Sequence, residues 1–213
     1  KSFREVLMYE YVSATHLLNK LATVDYMHYG NIDLPWEKYI TECDLAVTEN
    51  PTHWDHNVKT KDDSEVWNAD YQLILDNMEI YRLAGYRETN TRVWKTTMTQ
   101  PKITFPWETN IVAQLPINNA VATPTLQQPG NIMPMHVDNF VYLKKKAGKD
   151  ANILRFLIFM KDWQDGHVLQ IGESWLSHWK QGDVYVWHPT VRHVAINAGF
   201  TDKWTCNVTG VLH

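Results

Sequence analysis

Apolar positions recur at intervals of three and four along the first hundred residues, at Val6, Leu7, Tyr11, Leu17, Leu18 and Leu21 and again at Trp67, Tyr71, Leu73, Ile74, Met78, Ile80 and Tyr81. That period collects them on one face of a helix, so two amphipathic helices are predicted here. Between them, Gly30-Asn31, Asn50-Pro51 and the polar run 59–64 break the pattern, and Asp63 or Ser64 stands where the cap of a following helix belongs. A short helix is expected within 102–115, where Pro106 suits a first turn and Trp107, Ile111, Val112 and Leu115 offer an apolar face.

From residue 119 onward the pattern shortens to β segments separated by turns. The segments are 120–126, 133–142, 153–160, 168–171, 174–179, 183–187, 193–197 and 204–211. Pro129-Gly130, Asp165-Gly166, Gly182-Asp183 and Ala198-Gly199 supply the corners. Short strands at this spacing fit a sandwich or jelly roll. The fold class expected is α+β with a mainly β core: a helical region over 1–118 supporting a catalytic core over 119–213, within one structural domain. A chain of 213 residues can bury such a core without staples.

Composition narrows the partners. A net charge of −4 and a pI near 6.2 give no basic face for nucleic acid, so none is expected. The run Lys144-Lys145-Lys146, with Lys149 beside Gly148 and Asp150, reads as a solvated turn. Cys43 and Cys206 are too few for a disulfide framework and lack metal-ligand spacing, which favours a reducing, cytoplasmic setting. No apolar run approaches the roughly 18 residues that span a bilayer, so no membrane partner is expected either.

Chemistry concentrates in the second half. His136 and Asp138 stand two apart, and on a strand such positions project from one face, so both side chains can reach one metal ion. Alone the pair means little. A third donor must come from a distant strand, and His193 lies in one. Two imidazoles and a carboxylate form a facial triad that leaves positions open on Fe(II) for a chelating 2-oxo acid and O2. The far carboxylate of such an acid calls for a cation on a neighbouring inward strand, and Lys203 fits, with the hydroxyl of Thr205 on the same face.

Over 123–210 the chain resembles the Fe(II)/2-oxoglutarate dioxygenases, in the branch that holds prolyl hydroxylases and their phage and bacterial relatives. The resemblance rests on an ordered set of positions: Pro129-Gly130, His136 and Asp138, Gly182-Asp183, His193, Asn197 and Gly199, then Lys203 and Thr205. It implies a double-stranded β-helix binding Fe(II) through His136, Asp138 and His193, with 2-oxoglutarate as co-substrate held by Lys203 and Thr205. It also implies hydroxylation of an unactivated C–H bond of a peptide side chain, amino acid or small metabolite, with release of succinate and CO2. The chain departs from the pattern in three places. Gln127 stands where relatives often carry a Tyr that contacts 2-oxoglutarate; its amide can donate in the same way, with Thr125 as same-face neighbour. Lys203 replaces the Arg of many branches. His167 follows Asp165-Gly166 where relatives continue with Gly.

Other residues compete for roles. His188 is the rival third ligand, although Pro189 directly after it suggests a turn. His167 and His178 are expected at the surface or substrate mouth. Arg155, isolated in an apolar strand, needs a partner: a substrate or co-substrate carboxylate, or an acidic side chain. A cupin would show His-x-His and a nearby downstream Glu, and a halogenating relative would lack the carboxylate. The alternative from a different class is a non-catalytic jelly-roll module that binds metal and a 2-oxo acid without turnover.

Overall fold

The computed structural model describes residues 14–51, 54–55, 79–87, 89–99, 102–138 and 140–213. In chain order the elements are α1 (Ala14–Leu21), β1 (Met27–Asn31), α2 (Trp36–Glu49), β2 (Trp54–Asp55), β3 (Arg92–Lys95), α3 (Glu108–Val112), β4 (Ile117–Gln127), β5 (Ile132–His136), α4 (Val141–Ala147), β6 (Ile153–Phe159), β7 (His167–Ile171), β8 (Ser174–Leu176), β9 (Asp183–Val186), β10 (His193–Asn197) and β11 (Lys203–Leu212). The strands form a larger sheet ordered β1-β9-β6-β11-β4-β3-β2 and a smaller one ordered β5-β10-β7-β8. Every neighbouring pair is antiparallel.

Alternation along the strands decides which side chains meet. Trp204, Cys206 and Val208 of β11, Leu154, Phe156 and Ile158 of β6, and Val184 and Val186 of β9 share one core with Leu17 and Leu21 of α1 and with Trp36, Tyr39, Ile40 and Cys43 of α2. The opposite face of the same sheet turns toward the smaller one. There Leu157, Phe159, Tyr185 and Trp187 pack with Leu169, Ile171, Leu176 and Trp179. By the same alternation, β11 turns Lys203, Thr205, Asn207 and Thr209 inward, β4 turns Thr123, Thr125 and Gln127, and β6 turns Arg155. One wall of the interior is aromatic, and the other is polar.

Two tight approaches hold the corners. Gly166 has φ +87° and lies so near Gly199 that an added Cβ would sit 2.4 Å from the Gly199 Cα, so the β6–β7 turn and the β10–β11 turn lock together. The buried amide of Asn197 completes that lock. Its Nδ2 donates to the carbonyls of Gln127 and Thr201, both at 2.8 Å, while its Oδ1 accepts from the Gly199 N–H.

Several elements differ from the pattern-based reading. Within residues 1–118, read as helical, β1 pairs with β9 at one edge of the larger sheet and β3 and β2 extend the other. Short edge strands take their stability from the neighbour they pair with, which periodicity does not register. The segment 133–142 is not one strand: β5 ends at His136 and α4 begins at Val141 after Phe140 adopts φ +50°. The lysine run therefore lies in the last turn of α4, where cations complement the helix dipole, and not in a turn. The apolar positions 67–78 and 6–11 lie outside the described residues. Among those described, no helix is long and apolar enough to cross a membrane.

Candidate metal centre

The centre forms where β5 and β10 meet. His193 is the register partner of His136, and Asp138 follows two positions on, its N–H donating to the Pro189 carbonyl at 3.2 Å. One donor atom from each of the three residues lies within 4.8 Å of the others. His193 Nε2 stands 3.9 Å from Asp138 Oδ2. Both imidazoles turn Nδ1 to a backbone carbonyl, His136 to Pro134 at 2.7 Å and His193 to Val191 at 3.0 Å. A carbonyl only accepts, so Nδ1 carries the proton and Nε2 keeps a lone pair for a metal. Burial, with His193 beside it, pushes His136 down to about 3, and burial lowers His193 as well. Both rings are therefore neutral at neutral pH, the form that ligates.

Asp138 is 9% exposed, and its two oxygens have different fates. Oδ1 accepts from Arg155 Nη1, whereas Oδ2 is buried with no hydrogen-bond partner among the described residues. An orphaned carboxylate oxygen in the interior is costly unless something cationic meets it. Facing two neutral imidazoles, it fits a divalent ion of the first transition row. Trp187 closes one side, with its ring centroid 4.8 Å from that of His193 and its indole N–H buried without an acceptor among the described residues.

Lys203 begins β11 opposite Gln127 and crosses the interior to the smaller sheet. Its Nζ donates to the Val168 carbonyl at 2.8 Å and the Ile196 carbonyl at 3.4 Å and stands 5.4 Å from the Trp179 ring. Burial pushes this amine down to about 7, and among the described residues no acidic group acts on it. Thr205 is buried on the same face, and its register partners are Thr125 and Phe159. Thr125 donates to the Thr123 carbonyl and accepts from Asn207 Nδ2. Gln127 is equally buried, but its amide is already committed to the Ala195 carbonyl at 3.1 Å.

The competing residues separate clearly. His188 bonds to Thr190 Oγ1 at 2.7 Å within the β9–β10 turn and stays out of the cluster. His178 is exposed and stacks on Trp163. His167, expected at the surface or mouth, is 2% exposed, its Nε2 3.0 Å from the Thr201 carbonyl, because β7 carries it inward beside Trp179. Arg155 takes an acidic partner, Asp138. Pattern reading missed Lys95, which turns toward Asp138 and Arg155 from β3; burial, with Arg155 nearby, lowers it to about 7. A lone lysine in an unrecognised short strand carries no mark of this in the sequence.

No family model matches the chain, and no curated protein does. Solved structures do. A prolyl-4-hydroxylase from Pseudomonas putida aligns at 13% identity over 93% of this chain and 98% of its own, with a TM-score of 0.54. This likeness shows the fold alone, a jelly roll of two antiparallel sheets. A cupin domain of an Enterobacter cloacae transcriptional regulator aligns at 10% identity over 57% of this chain and 98% of its own, with a TM-score of 0.36. A non-haem monooxygenase in complex with nickel aligns at 16% identity over 53% of each chain, with a TM-score of 0.34. The last two overlap the barrel too loosely to bear on chemistry.

Proposed function

We propose that this chain is a non-haem Fe(II)- and 2-oxoglutarate-dependent dioxygenase that hydroxylates an unactivated C–H bond of a peptide side chain, amino acid or small metabolite. The carrying observation is the combination of a three-donor cluster with a buried ammonium that has no acidic partner among the described residues. Lys203 reaches the carbonyl of Ile196, three strand positions from His193, roughly 10 Å at about 3.3 Å per residue. That separation suits a diacid whose 2-oxo acid end meets the metal and whose far carboxylate meets Lys203.

Each residue then has a task. His136 and His193 present neutral Nε2 donors, and Asp138 presents the anionic oxygen that no other described residue satisfies. Lys203 anchors the far carboxylate with the Thr205 hydroxyl beside it, a charge-assisted pair that desolvation strengthens. Thr125 lines the same wall; Gln127 reaches the co-substrate only by releasing Ala195. Phe159, Trp179 and Trp187 keep water from the reacting side. When bound, Fe(II) with 2-oxoglutarate and O2 supplies the oxidising power for hydroxylation, with succinate and CO2 released.

The test is Fe(II)-dependent release of succinate from 2-oxoglutarate by the full chain, with or without a coupled substrate, compared with Asp138→Ala. Turnover lost in the variant is expected. Stoichiometric binding of metal and 2-oxoglutarate with no succinate from the unaltered chain would instead assign a non-catalytic binding module.

A further inference from the structure

Arg155 is held on three sides and open on the fourth. Its Nη1 donates to Asp138 Oδ1, its Nε donates to Thr209 Oγ1 at 3.1 Å, and its guanidinium carbon stands 5.2 Å from the centroid of the Phe140 ring. Among the described residues Nη2 has no partner, and 28% of the side chain is accessible. The guanidinium is thus fixed beside a candidate metal ligand, with Nη2 uncommitted among the described residues and part of the side chain accessible.

Charge makes this placement unusual. Partners of a ligating carboxylate normally raise its donor strength, whereas Asp138 is approached by a cation. Lys95 adds a second basic group within electrostatic reach of both Asp138 and Arg155. Asp138 is the one carboxylate paired with Arg155 among the described residues. Once its other oxygen is committed to a divalent ion, this side of the centre carries excess positive charge.

The co-substrate of the proposed reaction cannot relieve that excess at Arg155. Arg155 lies opposite Thr209 whereas Lys203 begins β11, so the two cations stand six positions or about 20 Å of strand apart along it. An acid that bridges the metal and Lys203 points away from Arg155.

We infer that the open edge of Arg155 binds a carboxylate of the primary substrate, so that the molecule oxidised is an amino acid or other carboxylic acid and not a neutral peptide segment. One exposed edge of a planar fork matches the two oxygens of one carboxylate, and the rigid support from Thr209 and Phe140 lets it orient what it binds. This inference rests on the oxygenase reading above.

The test uses the full chain loaded with Mn(II) and 2-oxoglutarate, titrated calorimetrically with each standard amino acid and with its carboxamide. At least one free acid should bind tenfold or more tighter than its amide. In Arg155→Gln that ratio should fall to within about twofold while the affinity for 2-oxoglutarate changes less than threefold. Should Arg155→Gln unfold, Arg155→Lys, which keeps a cation opposite Asp138 without the fork, should cut the acid preference at least threefold. The inference is overturned if no acid is preferred in the unaltered chain, if the preference survives both substitutions, or if Arg155→Gln loses 2-oxoglutarate as Lys203→Ala does. An unaltered chain that binds neither Mn(II) nor 2-oxoglutarate overturns the oxygenase reading first, and this one with it.

Discussion

His193 faces His136 across the β10–β5 pair, their ring centroids 4.2 Å apart and inclined by 54°. Two imidazoles brought this close without a shared proton suit a cation between their Nε2 atoms. Adding a divalent ion at a hundred times its dissociation constant should stabilise the fold by about 2.7 kcal/mol. In His136→Ala or Asp138→Ala the metal-dependent rise in melting temperature should disappear. A rise retained in both variants would place the ion elsewhere.

Asn197 ties the end of the ligand strand β10 to β4 and to the turn that delivers Lys203. Asn197→Ala removes its bonds to Gln127, Thr201 and Gly199 at once and leaves buried backbone groups unsatisfied. With about 1 kcal/mol per net hydrogen bond and a desolvation cost for each orphan, a loss of roughly 2–4 kcal/mol is expected in denaturant unfolding. Affinity for 2-oxoglutarate should fall as well. Metal affinity should fall less, because His136 stands on another strand and Asp138 just beyond its end.

Much of this was legible from residue order, for a physical reason. Between Ile117 and Leu212 the strands are buried on at least one face, so alternation imprints itself on the sequence, and side chains two apart, such as Lys203 and Thr205, share a face. His136 and Asp138 are local in the same sense. What depended on distant pairing stayed hidden. The segment Met27–Asn31 becomes a strand only against β9, and Asp138 meets Arg155 only once β5 and β6 are folded. The α4 lysines look alike in a turn and in a helix end, since both are solvated.

Trp187 separates ring from donor. Trp187→Phe keeps an aromatic face against His193 and removes a buried N–H that has no acceptor among the described residues. The metal-free protein should therefore lose no more than about 1 kcal/mol. Trp187→Ala empties the ring's volume beside Tyr185 and Phe159 and should cost roughly 3–5 kcal/mol. Equal losses in the two variants would assign the N–H a partner.

Lys203 gives the centre a pH dependence of definite sign. Its amine titrates near 7 in the folded chain against 10.5 in the ordinary state, so between those values the unfolded chain binds a proton that the folded one does not. Stability of the ligand-free protein should therefore climb as pH rises from 7 toward 10.5, and Lys203→Met should flatten that climb. Ligand binding runs the other way. A carboxylate needs the charged ammonium, so above pH 7 binding 2-oxoglutarate must take up a proton, and its affinity should fall by up to about tenfold per pH unit. Lys203→Arg, charged throughout, should remove the slope whatever it does to affinity. Lys203→Ala should weaken 2-oxoglutarate roughly 10- to 100-fold below pH 7, the worth of a charge-assisted hydrogen bond, and leave metal affinity unchanged. A slope that persists in Lys203→Arg would move the anchoring cation to Lys95, which titrates in the same range.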